Sequence, residues 1–326
     1  MEEDQIFHQR TDLSALQEAV LSIGNEIRKI IVGQDEMVRL IITALLADGH
    51  VLIEGVPGVA KTLTAKLVAR SVDAGFSRIQ FTPDLMPSDV LGTPVFNPRE
   101  AAFEFKKGPV FSNIILVDEI NRAPAKTQSA LLEVMEERQA TIDGRSYPMA
   151  SPFMVLATQN PVEQEGTYRL PEAQLDRFLF KILVPYPTET EELAILTKFH
   201  QMGNTAALDM IKPVLAAQQV AGLRQQIRSQ VIEEKLLQFI ARLIHQTRNH
   251  KSIYLGASPR ASLSIMNASK AMAAIQGRDF VTPEDILSIA PPVLRHRVIL
   301  SPDKEMEGVT EDEVIRQIIQ GMDVPR

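Results

Sequence analysis

Apolar residues recur at three- and four-residue spacing early in the chain, with Leu13, Leu16, Val20, Ile23, Ile27 and Ile30 all within residues 11–31. That period predicts an amphipathic helix, and a second helix is predicted from Asp35 to about Ala47. The pattern then changes. Residues 50–54 (HVLIE) form a short apolar run that passes at once into a glycine-bearing turn and a helical stretch at 62–70. Strand, turn and helix in that order open an α/β unit. Further strands are predicted at 78–81, 113–117, 153–157 and 178–184, with a helix at 127–138. The nearly all-apolar NIILV at 113–117 suits a parallel strand covered on both faces.

Two stretches interrupt this alternation. Residues 89–108 contain Gly92, Pro94 and Pro98, then alternating Ala102-Phe103-Glu104-Phe105-Lys106, which predicts an inserted β-hairpin. Residues 139–151 contain Asp143-Gly144, a strong hairpin-turn signal. Pro185-Tyr-Pro187 then breaks the pattern, and little strand signal follows. Residues 189–200, 231–248 and 261–276 read as helices, the second with Leu236, Ile240, Leu243 and Ile244 on one side. Thr282 and Thr310 each stand three residues before an acid, Asp285 and Glu313, the capping-box spacing at a helix start. The reading is an α/β domain over 1–187 and a helical domain over 188–326, hinged near 185–188.

Composition narrows the class. The 326 residues are 45% hydrophobic and 23% charged, which excludes a disordered or fibrous chain. The absence of cysteine excludes a disulfide scaffold, a thiolate zinc site and a cysteine nucleophile, and it fits a reducing, cytoplasmic setting. The N-terminal MEEDQIFHQR is acidic, unlike a signal peptide, and no apolar run is long enough to span a bilayer, so no membrane insertion is expected. A net charge of −7 disfavours a broad phosphate-gripping face for nucleic acid. The six histidines, including His8, are scattered and form no H-E-x-x-H pattern, so no metal site other than nucleotide-bound Mg²⁺ is expected.

The chemistry concentrates in a few segments. Gly55-Val56-Pro57-Gly58-Val59-Ala60-Lys61-Thr62-Leu63 lies between a predicted strand and a predicted helix. Glycines let backbone amides curl around phosphate oxygens, and the helix N-terminus adds its positive end. Lys61 would reach the β- and γ-phosphates and Thr62 would ligate Mg²⁺. The strict G-x-x-x-x-G-K-[ST] pattern fails at Ala60, which either bears left-handed strain of about 1–2 kcal/mol or keeps φ negative. Asp118 and Glu119 end an apolar strand, at the edge where open α/β sheets bind ligands. Asp118 can hold Mg²⁺ and Glu119 can polarise an attacking water. Asn160 follows a strand and could orient that water. Arg177 precedes the last α/β strand, at the domain's edge, and Arg260 follows Ser258-Pro259, a cap and first-turn proline that would start a helix and aim the arginine at the interdomain cleft.

With these segments in place, the chain resembles the MoxR family of AAA+ ATPases. The resemblance runs from Ile31-Val32-Gly33-Gln34 to about Leu300. Its markers are GVPGVAKT at 55–62, FTPDLMPSD at 81–89, VDEINRAPAKTQSALLEVMEERQ at 117–139, ATQNP at 157–161, LPEAQLDRF at 170–178, GASPRAS at 256–262 and VTPEDI at 281–286. The resemblance implies a P-loop α/β domain, a parallel sheet sandwiched by helices with hairpin inserts, followed by an all-α lid. It implies ATP and Mg²⁺ as cofactors, with Val32 and Gly33 beside adenine, Lys61 and Thr62 as the Walker A pair, and Asp118 and Glu119 as Walker B. Asn160 matches sensor 1, Arg260 matches a sensor 2 that reaches over from the lid, and Arg177 matches the arginine finger acting on a neighbouring subunit. Gln80 matches a residue that restrains Glu119. The implied activity is ATP hydrolysis in a ring-forming, chaperone-like motor, a hexameric homo-oligomer acting on protein clients with a von Willebrand factor A partner. A nucleic-acid motor and a metal-chelatase-type motor subunit of the same clade are the alternatives. The hairpins weigh against the first of these: Arg145 is set against Asp143, and Arg99, Lys106 and Lys107 against Glu100 and Glu104.

Overall fold

The computed structural model describes residues 12–161, 167–202 and 207–325, so His8 and the acidic stretch 1–11 lie outside the described residues. Helix α1 (Ser14–Arg28) buries Leu16, Val20, Ile23 and Ile27, the predicted stripe. Helix α2 (Asp35–Leu46) is apolar on nearly every side because elements of both halves of the chain pack against it. Five strands then form one sheet: β1 (Val51–Gly55), β2 (Phe76–Gln80), β5 (Ile114–Asp118), β8 (Met154–Gln159) and β9 (Phe180–Val184). Their order is β2-β5-β8-β1-β9 and every pairing is parallel. All five residues of β5 are buried, the four apolar ones as expected of a strand covered on both faces and the fifth being Asp118. Helices α3 (Lys61–Ser71) and α5 (Ala125–Glu137) follow β1 and β5 and return the chain along the sheet.

Both inserts are hairpins. After a short helix α4 (Pro87–Leu91), β3 (Gly92–Asn97) pairs antiparallel with β4 (Ala102–Lys107). Gly92 has φ 101° and no room for a side chain, because a Cβ there would lie 2.2 Å from the Lys106 carbonyl oxygen. The second hairpin, β6 (Gln139–Ile142) with β7 (Arg145–Pro148), turns through Asp143 (φ 49°) and Gly144 (φ 75°), the left-handed pair its sequence predicts. The hairpins meet through Phe105 and Tyr147, whose ring centroids lie 4.4 Å apart.

A short helix α6 (Glu172–Leu175) leads into β9. The rest is mainly helical: α7 (Glu189–Met202), α8 (Ala217–Arg228), α9 (Glu234–Asn249), α10 (Pro259–Ile275), α11 (Pro283–Leu294), α12 (Pro302–Met306) and α13 (Glu311–Gln320). It is not all-α. Ile253–Leu255 (β10) pairs with Ile299–Leu300 (β11), two strands too short to show a period in the sequence. The capping box appears in full at Thr310 and Glu313, with both reciprocal bonds formed. Among the described residues no helix is long and apolar enough to cross a membrane.

The helical part is also buttressed against the sheet at residues other than 185–188. Arg297 is buried, donating from Nε to Asp176 Oδ1 (2.6 Å) and from its terminal nitrogens to the carbonyls of Asp176, Phe178, Leu179 and Val293. His296 Nε2 lies 3.0 Å from the Phe178 carbonyl, and Arg295 bonds the Lys181 carbonyl while pairing with Asp312. The two parts therefore meet along the start of β9, so residues 185–188 are not their sole connection.

His50 holds the sheet to α5. The Val155 N–H donates to Nδ1 at 3.0 Å, so Nε2 carries the ring proton and faces the Met135 carbonyl at 3.1 Å. Burial, reinforced by the nearby Arg138 charge, pushes the imidazole down to about 3. Burial likewise holds His296 well below the ordinary range. The unfolded chain takes up protons on these rings below its ordinary histidine value while the folded chain does not, so stability falls as pH drops from about 6.5 toward 3. For His50 the loss between pH 7.5 and pH 5 is about 2 kcal/mol by linkage. Denaturant unfolding at the two pH values checks this. His50→Gln is expected to be less stable at pH 7.5 and to lose less on acidification, and an equal loss in variant and parent would contradict the assignment.

Candidate active site

The phosphate loop is built from the end of β1. A Cβ on Gly55 would lie 2.8 Å from the Val184 carbonyl oxygen, so glycine is required for β1 to approach β9 there. Gly58 has φ 88° and nothing within 4 Å of where a Cβ would stand, so conformation rather than crowding requires it. Ala60 has φ 58° and ψ 19°. Of the two options left by the sequence, the loop takes the left-handed one, at a cost of about 1–2 kcal/mol for a residue with a Cβ. Val59 is buried and anchors the loop, while Pro57 and Gly58 are exposed. Lys61, Thr62 and Leu63 form the first turn of α3, whose positive end faces the loop. Lys61 Nζ folds back onto the Gly55 carbonyl. Burial lowers its pKa, against the opposing pull of Asp118, Glu119 and Glu54.

A cavity of about 500 Å³ opens beside Gly55 and Val56, walled by Glu36 and Leu40 of α2 and by Val184, Pro185 and Tyr186. Val32 and Gly33, expected beside adenine, are not among its lining residues. Gly33 (φ 66°) instead faces Glu191, whose Oε1 lies 2.4 Å from where a Cβ would stand. Thr188 fixes that carboxylate through its N–H (2.8 Å) and hydroxyl (2.9 Å), and those bonds lower the Glu191 pKa.

The two carboxylates are consecutive, Asp118 ending β5 and Glu119 following it. Asp118 is buried, and both its oxygens are engaged: Oδ1 accepts from the Thr158 hydroxyl at 3.2 Å and Oδ2 from Arg78 Nε at 2.6 Å. Glu119 turns out of the strand at φ 57°. Its Oε2 accepts from Gln80 Nε2 at 2.7 Å and from Arg122 Nη1 at 3.0 Å, and its N–H donates to the Thr158 hydroxyl at 3.0 Å. Asn160 is buried just past Gln159, whose partner across the sheet is Glu54, so it shares this edge. Sequence reasoning missed Thr158, Arg78 and Arg122. A signal existed for Arg78, which stands two residues before Gln80 and therefore on the same face of β2.

The two arginines lie elsewhere. Arg177 precedes β9 and donates to the Leu132 carbonyl of α5. Arg260 pairs with Glu136, near the C-terminal end of α5. Met135, beside Glu136, bonds His50, which precedes β1, and Leu179 N–H donates to the His50 carbonyl. These contacts mark the N-terminal edge of the sheet, roughly 15 Å of strand away from the lysine loop. In this structure Arg260 therefore lies on Glu136 and not in the cleft at the lysine loop. The cause is local: the Ser258 hydroxyl does not cap α10 but donates to Asp176 Oδ2 at 2.9 Å, pinning the start of α10 beside the start of β9.

Comparison with known proteins agrees with this architecture. Residues 50–180 match the model of the ATPase family associated with various cellular activities (AAA), and residues 245–318 match that of the AAA lid domain. The chain is 46% identical to a protein of Mycobacterium tuberculosis named chaperone MoxR1, over 92% of this chain and 81% of that one. It is 45% identical to the uncharacterised protein YeaC of Bacillus subtilis, over 92% of each. A solved structure of a candidate ATPase from Cytophaga hutchinsonii superposes with a TM-score of 0.86 at 42% identity, covering 96% of this chain and 99% of that one. On these grounds the chain belongs to the MoxR family of AAA+ ATPases.

Proposed function

We propose that the chain hydrolyses ATP in a closed ring in which each site is completed by the neighbouring subunit. The observation that carries this reading is the division of the site residues between two sheet edges. Lys61, Asp118, Glu119 and Asn160 share the C-terminal edge, whereas Arg177 and Arg260 share the N-terminal edge. Neither arginine serves the phosphates of its own subunit, and a head-to-tail interface that closes on itself brings one edge against the other. Ring size is six by family resemblance.

Within one site, the loop amides and Lys61 hold the phosphates. The oxygen donors of Thr62 and Asp118 fit Mg²⁺, which takes one or two protein oxygens together with substrate phosphates. Bound there, the metal would neutralise charge on the β- and γ-phosphate oxygens. Glu119 serves as general base for the attacking water, and Asn160 orients that water. The Gln80 amide and Arg122 hold one Glu119 oxygen, which supports Gln80 as the restraint on the base. The arginines of the neighbour neutralise charge developing on the γ-phosphate.

The reading extends to a chaperone-like role on protein clients in the cytoplasm, with a von Willebrand factor A partner and residues 188–326 acting as the lid unit. The relative named chaperone MoxR1 and the net charge of −7 support a protein rather than a nucleic-acid client.

Lys61→Ala is expected to weaken ATP binding, and Glu119→Gln to bind ATP normally while losing turnover by at least about 10²-fold, in the range of a lost general base. Nucleotide affinity and phosphate release separate the two effects. A Glu119→Gln variant as fast as the parent would remove the base from the scheme.

Arg177→Ala is expected to bind ATP and hydrolyse it poorly, by up to about 10³-fold or more if it acts as an arginine finger. Mixing it with Lys61→Ala should restore part of the turnover, because intact arginines then face intact pockets. Activity per subunit should also rise with protein concentration. A fully active monomer whose rate ignores concentration would defeat the shared-site reading.

A further inference from the structure

Arg78 has no assigned role in the scheme above, yet it sits on the carboxylate that the scheme reserves for metal. Arg78 and Gln80 share one face of β2, with buried Ile79 between them pointing the other way. The register sets Gln80 directly opposite Asp118. From two residues upstream the Arg78 side chain reaches forward, donating from Nε to Asp118 Oδ2 at 2.6 Å and from Nη2 to Gln80 Oε1 at 3.3 Å. The Gln80 amide is oriented by both neighbours. A guanidinium demands its oxygen and a carboxylate demands its NH₂, and the NH₂ donates to Glu119 at 2.7 Å. With Thr158 on the other oxygen, both Asp118 oxygens already accept a hydrogen bond, and Oδ2 already carries a cationic partner.

We propose that Arg78 is an internal cation that competes with the divalent metal for Asp118, so that the metal binds only by displacing it. The proposal rests on the ATPase reading of the site. Two cations on one carboxylate oxygen repel each other, and the two arrangements exclude one another. The competitor is built for exchange: the Arg78 side chain is 50% exposed and can swing to solvent, whereas that of Asp118 is 10% exposed and stays in place. Displacing Arg78 also removes the group that orients the Gln80 amide, so the exchange loosens the hold on Glu119 when the metal arrives.

The test measures how far a metal tightens nucleotide binding. Fluorescent ADP is titrated against the full chain with Mn²⁺ and with EDTA, for the parent and for Arg78→Ala and Arg78→Gln. Two variants are used so that folding, checked by circular dichroism, does not decide the outcome. The ratio of the two ADP affinities is expected to grow about two- to fivefold in both variants, the size of a partly exposed ion pair. Mn²⁺ affinity at saturating ADP, read by electron paramagnetic resonance, should tighten by the same factor. A ratio that is unchanged or smaller in the variants, with the parent binding ADP and Mn²⁺ normally, would overturn the competition and leave the ATPase reading standing. A parent chain that binds no nucleotide would overturn both.

Discussion

All five strands of the central sheet run in the same direction, and most of the site's logic depends on that. Parallel strands place every loop that follows a strand at one edge and every loop that precedes one at the other. The lysine loop follows β1, the paired carboxylates end and follow β5, and Asn160 follows β8, so they converge without any contact between their sequences. Arg177 precedes β9, so it cannot join them within one subunit. The separation of Arg177 from the lysine loop is thus a property of strand direction, whereas that of Arg260 follows from the bond that pins the start of α10 to Asp176.

The N-terminal edge is held as firmly as the phosphate edge. Arg297 is buried among backbone carbonyls and one carboxylate, Asp176, the residue before Arg177. Removing one partner of such a pair strands a buried charge and costs about 3–5 kcal/mol. Ser258 bonds the other oxygen of Asp176. One aspartate therefore ties together the segment that carries Arg177, the helix that carries Arg260 and the strand pair behind them. Both arginine-bearing segments are thereby held through the same carboxylate.

The strands and the lysine loop were legible in the sequence because their signals are local. A strand covered on both faces is apolar throughout, and a phosphate loop must sit between strand and helix. The hairpin at Asp143-Gly144 was legible for the same reason, since its turn type admits few residues. The conformation of Ala60 was open because left-handed alanine is strained but possible, and only the surrounding loop decides it.

What the sequence left hidden depends on contacts between distant residues. The bond from Arg297 to Asp176 spans 121 positions, and no spacing rule announces it. That bond and the one from Ser258 fix the start of α10 beside Asp176, and with it the place of Arg260 on Glu136. Thr158 and Arg78 acquire their roles from the register of β8 and β2 against β5, which periodicity does not supply. The pair β10 and β11 is too short to carry a pattern at all. The most direct measurement of the central claim is a cryo-electron microscopy structure of the Glu119→Gln variant with ATP and Mg²⁺. A closed ring is expected, in which Arg177 and Arg260 of one subunit approach the γ-phosphate held by Lys61 of the next. A structure in which both arginines reach the nucleotide of their own subunit, or neither reaches any, would contradict it.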